Sequence, residues 1–302
     1  MINLIERIQK LKKEKNAIIL AHSYQNIEID EVADYVGDSL YLSQKARETE
    51  AEIIVFAGVY FMAQTAKIIS PDKKVLLPNL NAGCLMADMI NLHQMVDFKK
   101  KYPDIPVVCY INSTAEVKSE CDICCTSSNA IEIVKSLNAP KVLFVPDANL
   151  GKYVESQLDG VEVITYQGCC PVHDNVTEKN IIDIRSKYPN AKVLIHPECK
   201  PSVSALGDYI GSTSGIIDYV KSSDDKQFVI VTEKGVADRL KRDYPDKEFI
   251  LISERMLCES MKLTTLEEIL YSLEQGVNEI TLDEKIINLS AGCIERMLKV
   301  SK

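Results

Sequence analysis

Three stretches decide the fold: VLLPNLNAGC at residues 75–84, VEVITYQGCC at 161–170 and FILISERMLC at 249–258. Each begins with an apolar, β-rich run and reaches a cysteine nine residues after its first residue, at Cys84, Cys170 and Cys258. Cys169 is one place short of that register, so the repeat selects Cys170 from the doublet. Two further sets recur at the same spacing. AIILAH ends at His22, VVCY at Tyr110 and VLIH at His196, which are 88 and 86 residues apart; IIVFAG, VLFVPD and FVIVTE begin at Ile53, Val142 and Phe228. Short continuous apolar runs, separated by helix-like stretches such as VYFMAQTAKII and EKGVADRLKRD, read as buried parallel strands with crossover helices. The expectation is an α/β protein of three homologous small domains with parallel sheets around a pseudo-threefold axis, its active site at their central junction. The expected divisions are residues 1–98, 99–184 and 185–280, with a C-terminal helix at 281–302 packed on the first domain beside the N-terminal helix.

Composition narrows the function. Lys and Arg number 35 against 44 Asp and Glu, a net charge of -9, and no stretch interleaves basic residues with aromatics, which argues against nucleic acid as a partner. The N-terminal MINLIERIQKLKKEK puts Ile2, Ile5, Ile8 and Leu11 at helical spacing between charges, unlike a signal peptide. No apolar run is long enough for a membrane span, so a soluble cytoplasmic protein is expected. Ten cysteines without an export signal then imply reduced thiols that bind metal, catalyse or are buried.

Open parallel sheets carry their sites at the carboxyl ends of the strands. One cysteine per repeat just beyond such an end is either a set of buried structural thiols or a shared three-thiolate site. Structural zinc and electron-transfer 4Fe-4S clusters normally take four protein ligands. Three thiolates on an iron-sulfur cluster leave one iron open, which suits Lewis-acid chemistry such as dehydration; a sulfur-only shell favours such a cluster or zinc over hard ions.

The remaining polar motifs fall at equivalent places. First-strand ends supply His22 and Tyr24 in AHSYQ, Tyr110 and Asn112 in CYINS, and His196 and Glu198 in IHPEC. Next in each repeat comes a hydroxyl-bearing turn before a helix, with Ser39, Ser127, and Ser212 with Thr213. Hydroxyls and N–H groups at helix starts bind carboxylate or phosphate, so three such turns suggest a substrate with several negative groups. His173 lies three residues past Cys170 at a loop end, whereas His93 in NLHQMVDF reads as a helix residue. Cys121 and Cys124 have C-x-x-C spacing without a second such pair. They read as packing residues near the anion site, with zinc or a redox pair as alternatives. Burial is expected for Cys109, Cys199 and Cys293.

Taken together, AHSYQ, VGDSL, FAGVYFMAQTAKI, NLNAGCLMAD, CYINSTAEVKSECDICCTSSNA, PDANLG, GCCPVHD, IHPEC, GSTSGI, TEKGVADRL and LCESMK resemble, in order and over essentially the whole chain, the quinolinate synthase family of NAD biosynthesis. The resemblance implies three homologous α/β domains and a 4Fe-4S cluster on Cys84, Cys170 and Cys258. It implies condensation of iminoaspartate with dihydroxyacetone phosphate to quinolinate, releasing phosphate and two waters, and transient contact with the enzyme that supplies the unstable iminoaspartate. The pocket would take His22, Tyr24, Ser39 and Met62 from the first domain. Tyr110, Asn112 and Ser127 would come from the second, and His173, His196, Glu198, Ser212 and Thr213 from the third. Glu198 beside His196 is the candidate general base and Tyr24 its acid–base partner, with His22 also in the catalytic set. Family members with an extra C-x-x-C-x-x-C segment near the C-terminus differ from this chain, which has only LCESMK there. Two other classes fit the same residues: an iron-sulfur hydro-lyase acting on a polycarboxylate without phosphate, and a non-catalytic iron-sulfur or zinc protein.

Overall fold

The computed structural model describes residues 2–301. The first unit runs α1 (Ile2–Glu14), β1 (Ala17–His22), β2 (Tyr35–Gly37), α2 (Ser39–Glu48), β3 (Ile53–Ala57), α3 (Tyr60–Ile69), β4 (Lys74–Leu76) and α4 (Leu92–Lys101). The second runs β5 (Val107–Tyr110), α5 (Ala115–Lys118), β6 (Ile123–Cys125), α6 (Ala130–Ser136), β7 (Lys141–Val145), α7 (Ala148–Ser156), β8 (Glu162–Thr165), α8 (Pro171–Asp174) and α9 (Glu178–Lys187). The third runs β9 (Lys192–Ile195), α10 (Pro201–Ser204), β10 (Tyr209–Ile210), α11 (Thr213–Ser222), β11 (Gln227–Val231), α12 (Lys234–Asp243) and β12 (Glu248–Leu251). Two helices follow, α13 (Leu266–Gln275) and α14 (Glu284–Val300). Each unit forms a separate parallel sheet of four strands in the order second, first, third, fourth. The protein is therefore α/β, built from three small parallel-sheet units.

The three sheets share one register. First and second strands pair at an offset of 15 residues, as in Leu20 with Tyr35, Val108 with Ile123 and Leu194 with Tyr209. First and third strands pair at 36, as in Ala17 with Ile53, Val107 with Leu143 and Lys192 with Phe228. Third and fourth pair at 21, as in Ile53 with Lys74, Lys141 with Glu162 and Gln227 with Glu248. A one-residue slip would turn every side chain to the opposite face, so shared offsets deliver equivalent residues to equivalent strand ends. A carboxylate helps set this register in each unit. Asp34, Asp122 and Asp208 accept the first-strand N–H of Ile19, Val107 and Val193, each at 2.7 Å.

The central strands are buried along nearly their whole length, which is why they read as continuous apolar runs. One apolar core joins the first and second units through α3 and α14, whereas the third unit packs around two clusters largely its own. The divisions expected at 98/99 and 184/185 fall inside α4 and α9, the helices that carry the chain from one sheet to the next. The C-terminal helix differs from expectation. It touches the first unit at α3 but also covers β6, α5 and α6 of the second, while α1 packs on α13. The reason is its buried stripe of Cys293, Ile294, Met297 and Leu298, which completes the core shared by those two units. Burial of each large apolar side chain there stabilises by roughly 1.5–3 kcal/mol. Among the described residues no helix is long and apolar enough to cross a membrane.

Candidate active site

The carboxyl ends of the three sheets open onto one chamber. The ends of the first strands and the loops after them bring His22 and Tyr24, Tyr110 and Asn112, and His196 and Glu198; turns after the second strands bring Ser39, Ser127 and Thr213. The loops after β4, β8 and β12 bring Cys84, Cys170 and Cys258. The lining, apolar with several convergent polar groups, suits a small polar molecule.

All three chamber cysteines are free thiols, and burial pushes each one up, Cys84 to about 12. None is a ready nucleophile, and ligation of a cationic group would deprotonate them. The backbone of Cys258 is held by an acid, its N–H donating to Glu233 at 3.2 Å. Glu233 is itself paired with Lys262 at 3.1 Å. The only group of three or more potential metal ligands within 4.8 Å of one another, among the described residues, is Cys170, His173 and Glu198. There His173 Nδ1 lies 2.8 Å from Glu198 Oε2 and 3.3 Å from Cys170 Sγ. Bonds of about 2.0–2.3 Å from each ligand to a shared zinc would hold the ligand atoms farther apart. The three cysteines are not so tightly gathered, which fits a larger sulfur-ligated group better than a single ion.

Glu198 is the hub of the polar network. Tyr110 donates its phenol proton to Oε1 at 2.5 Å and His173 lies against Oε2, with all three side chains buried. Burial alone would raise the carboxyl, but His196, His173 and the bonds from His173 and Tyr110 outweigh it and hold Glu198 below the ordinary range. It is therefore a buried carboxylate at neutral pH. Burial, then the Glu198 charge, pushes the phenols of Tyr110 and Tyr24 up, so both remain protonated. The network continues from His173 Nε2 to Thr232 Oγ1 at 3.0 Å and from Thr232 to the Tyr24 hydroxyl at 3.0 Å.

The other two histidines are neutral donors. His22 Nδ1 accepts the Tyr24 N–H at 3.1 Å and His196 Nδ1 accepts the Glu198 N–H at 3.4 Å, the same contact two residues on in two repeats. Each ring then carries its proton on Nε2. Burial lowers His22 to about 4 and His196 to about 3. Asn112 adds a carboxamide whose Oδ1 is buried without a partner, an acceptor that a ligand donor would satisfy.

Residues 6–299 match the family model described as quinolinate synthetase A protein. The quinolinate synthase of Alkaliphilus metalliredigens is 51% identical over 298 residues, covering 99% of this chain and 98% of that protein. Those of Clostridioides difficile and Dehalococcoides mccartyi (strain 195) are 47% and 48% identical, over 99% and 98% of this chain and 99% and 97% of theirs. The chain belongs to the quinolinate synthase family. As its members are enzymes, the chamber is the candidate active site of an enzyme.

The structure brings nearly all the residues expected of a quinolinate synthase into this one chamber, including Met62 of α3. Ser212 is the exception. It caps α11, its Oγ accepting the Gly215 N–H at 3.1 Å, and its neighbour Thr213 lines the chamber instead. Cys169 does not line the chamber; its N–H meets Met89 Sδ at 3.4 Å. The C-x-x-C cysteines do not face each other: Cys121 Sγ donates to the Val117 carbonyl at 3.1 Å, and Cys124 Sγ lies 3.0 Å from Cys293 Sγ. Thr232, Asp38, Asp147 and Glu233 were missed. Thr232 and Glu233 end the FVIVTE run and Asp147 ends VLFVPD, strand ends the repeat marks, whereas Asp38 stands in the quoted VGDSL.

Proposed function

We propose that this chain is a quinolinate synthase that condenses iminoaspartate with dihydroxyacetone phosphate, releasing inorganic phosphate and two waters. The observation that carries the reading is the single chamber where one cysteine from each unit meets a buried carboxylate, neutral imidazoles and hydroxyl-bearing turns. Cys84, Cys170 and Cys258 would hold a 4Fe-4S cluster, which supplies Lewis acidity through an iron without a protein ligand.

The chain's own side chains account for the remaining work. Ser39, Ser127 and Thr213, with the Nε2–H groups of His22 and His196, bind and orient carboxylate and phosphate oxygens. Asn112 Oδ1 accepts from a substrate N–H or O–H. Glu198 takes protons from carbon during imine–enamine tautomerisation, its charge steadied by Tyr110 and His173. Tyr24, kept protonated and linked to Glu198 through Thr232 and His173, donates a proton to a departing hydroxyl. Burial of these groups excludes water from an imine that hydrolyses readily.

Product analysis after anaerobic incubation with an iminoaspartate source and dihydroxyacetone phosphate tests the reading. Quinolinate and phosphate in equal amounts are expected. Dehydration of a polycarboxylate with no dependence on the phosphate substrate would point to another hydro-lyase.

A further inference from the structure

Asp38, Thr126 and Ser212 occupy equivalent repeat positions, each opening the turn that carries a chamber hydroxyl. For capping, a hydroxyl suffices, since Ser212 caps α11 through Gly215. Asp38 does more. Its Oδ1 accepts the Tyr41 N–H at 3.0 Å, capping α2. Its Oδ2 accepts from Ser128 Oγ of the second unit and from Ser214 Oγ of the third, both at 2.6 Å. An ionised carboxylate has acceptor sites for all three donors and no proton of its own to place. A serine or threonine at this position has too few.

Ser128 and Ser214 directly follow Ser127 and Thr213, the residues that line the chamber. They face a second, more open cleft together with Asp38, which lines both spaces. The carboxylate thus sits in the wall behind the anion-binding turns and touches all three units at once. The third unit shares little apolar core with the others, so its turn is fixed relative to theirs by polar contacts, this one and the bond from Thr213 Oγ1 to the Tyr24 hydroxyl at 3.1 Å.

We infer that Asp38 is a positioning residue: through Ser128 and Ser214 it latches the turns of the second and third units onto the first and so sets the spacing of Ser39, Ser127 and Thr213 around an anionic substrate. The substrate half of this statement rests on the quinolinate synthase reading; the latch does not.

Asp38→Ser isolates the effect, because it keeps an α2 cap while removing the two-fold acceptor. Ser128→Ala/Ser214→Ala removes the donors without touching residue 38. Amide hydrogen exchange on the anaerobic holoenzyme and both variants is the test. The latch requires faster exchange at residues 126–131 and 212–217 in both variants, with α2 unchanged and iron per chain unchanged. Exchange that changes only in α2, or nowhere, would overturn it. In parallel, quinolinate is titrated against the cluster spectrum. If the wild type responds, both variants should bind about tenfold more weakly, close to the loss of one good hydrogen bond, and wild-type affinity in both would overturn the positioning role. A wild type blind to quinolinate would instead count against the functional reading, leaving the exchange data to judge the latch.

Discussion

Tyr110, at the end of the second unit's first strand, donates to Glu198 of the third unit at 2.5 Å, and the two sit 88 residues apart in the chain. This bond crosses the junction between units and helps hold Glu198 ionised in a buried site. Two consequences follow for turnover. Glu198→Gln should lower kcat by about 10²–10⁴, the usual contribution of a general base, with iron content retained. Tyr110→Phe should cost less and move the acidic limb of the pH profile upward, because a carboxylate that loses a hydrogen bond becomes easier to protonate. An acidic limb unmoved by Tyr110→Phe would separate Glu198 from the proton transfer.

The cysteine doublet gives a sharper test of the repeat. Cys170 lines the chamber in register with Cys84 and Cys258, and Cys169 does not. Cys170→Ala should abolish the cluster while Cys169→Ala retains it, as read by iron and sulfide analysis after anaerobic purification. The reverse stoichiometry would show that the register misidentifies the ligand.

Arg239 ties the third unit to the His22 loop. It meets Asp30 at 2.5 Å and donates to the carbonyls of Ser23 and Gln25 at 2.7 and 2.9 Å, in a nearly buried setting. Arg239→Met leaves those groups short of donors, although Asp30 keeps Arg242 at 2.7 Å. A loss of about 3 kcal/mol is expected, at the lower end for breaking a buried pair. Urea unfolding with a midpoint shift worth under about 1 kcal/mol would contradict this.

Acid should weaken the fold through His22. Burial lowers its value to about 4 against an ordinary 6.5, so between those values the unfolded chain binds more protons than the native one. Stability therefore rises with pH across that window and levels off above it. At pH 5 the contribution lost is about 2 kcal/mol. His22→Gln removes it, so the variant should lose about that much less than the wild type between pH 7 and pH 5. Equal pH dependence in urea titrations of the two would count against a buried neutral His22.

Much of the fold was legible because burial on both faces makes parallel strands read as unbroken apolar runs, and because the repeat spacing survives in the strand register. The same spacing singled out Cys170. Asp34, Asp122 and Asp208 went unread since an acid near a strand looks like ordinary surface charge until its carboxylate is seen on a backbone N–H. Ser212 and Thr213 are not distinguished by sequence because a hydroxyl before a helix serves equally as cap or ligand, and only side-chain direction separates the two. The Asp38 latch and the course of α14 depend on how units meet, which a repeat within one chain does not encode. Thr232 joins Tyr24 to His173 by contacts over 208 and 59 residues of sequence, a relation no local motif carries.

The measurement that bears most directly on the central reading is an anaerobic one: iron and sulfide per chain, and the EPR spectrum of the reduced protein with and without quinolinate. A 4Fe-4S cluster on Cys84, Cys170 and Cys258 predicts about four of each per chain and a spectrum perturbed by quinolinate. Bound zinc, or a cluster whose spectrum ignores quinolinate, would contradict a product site at the open iron.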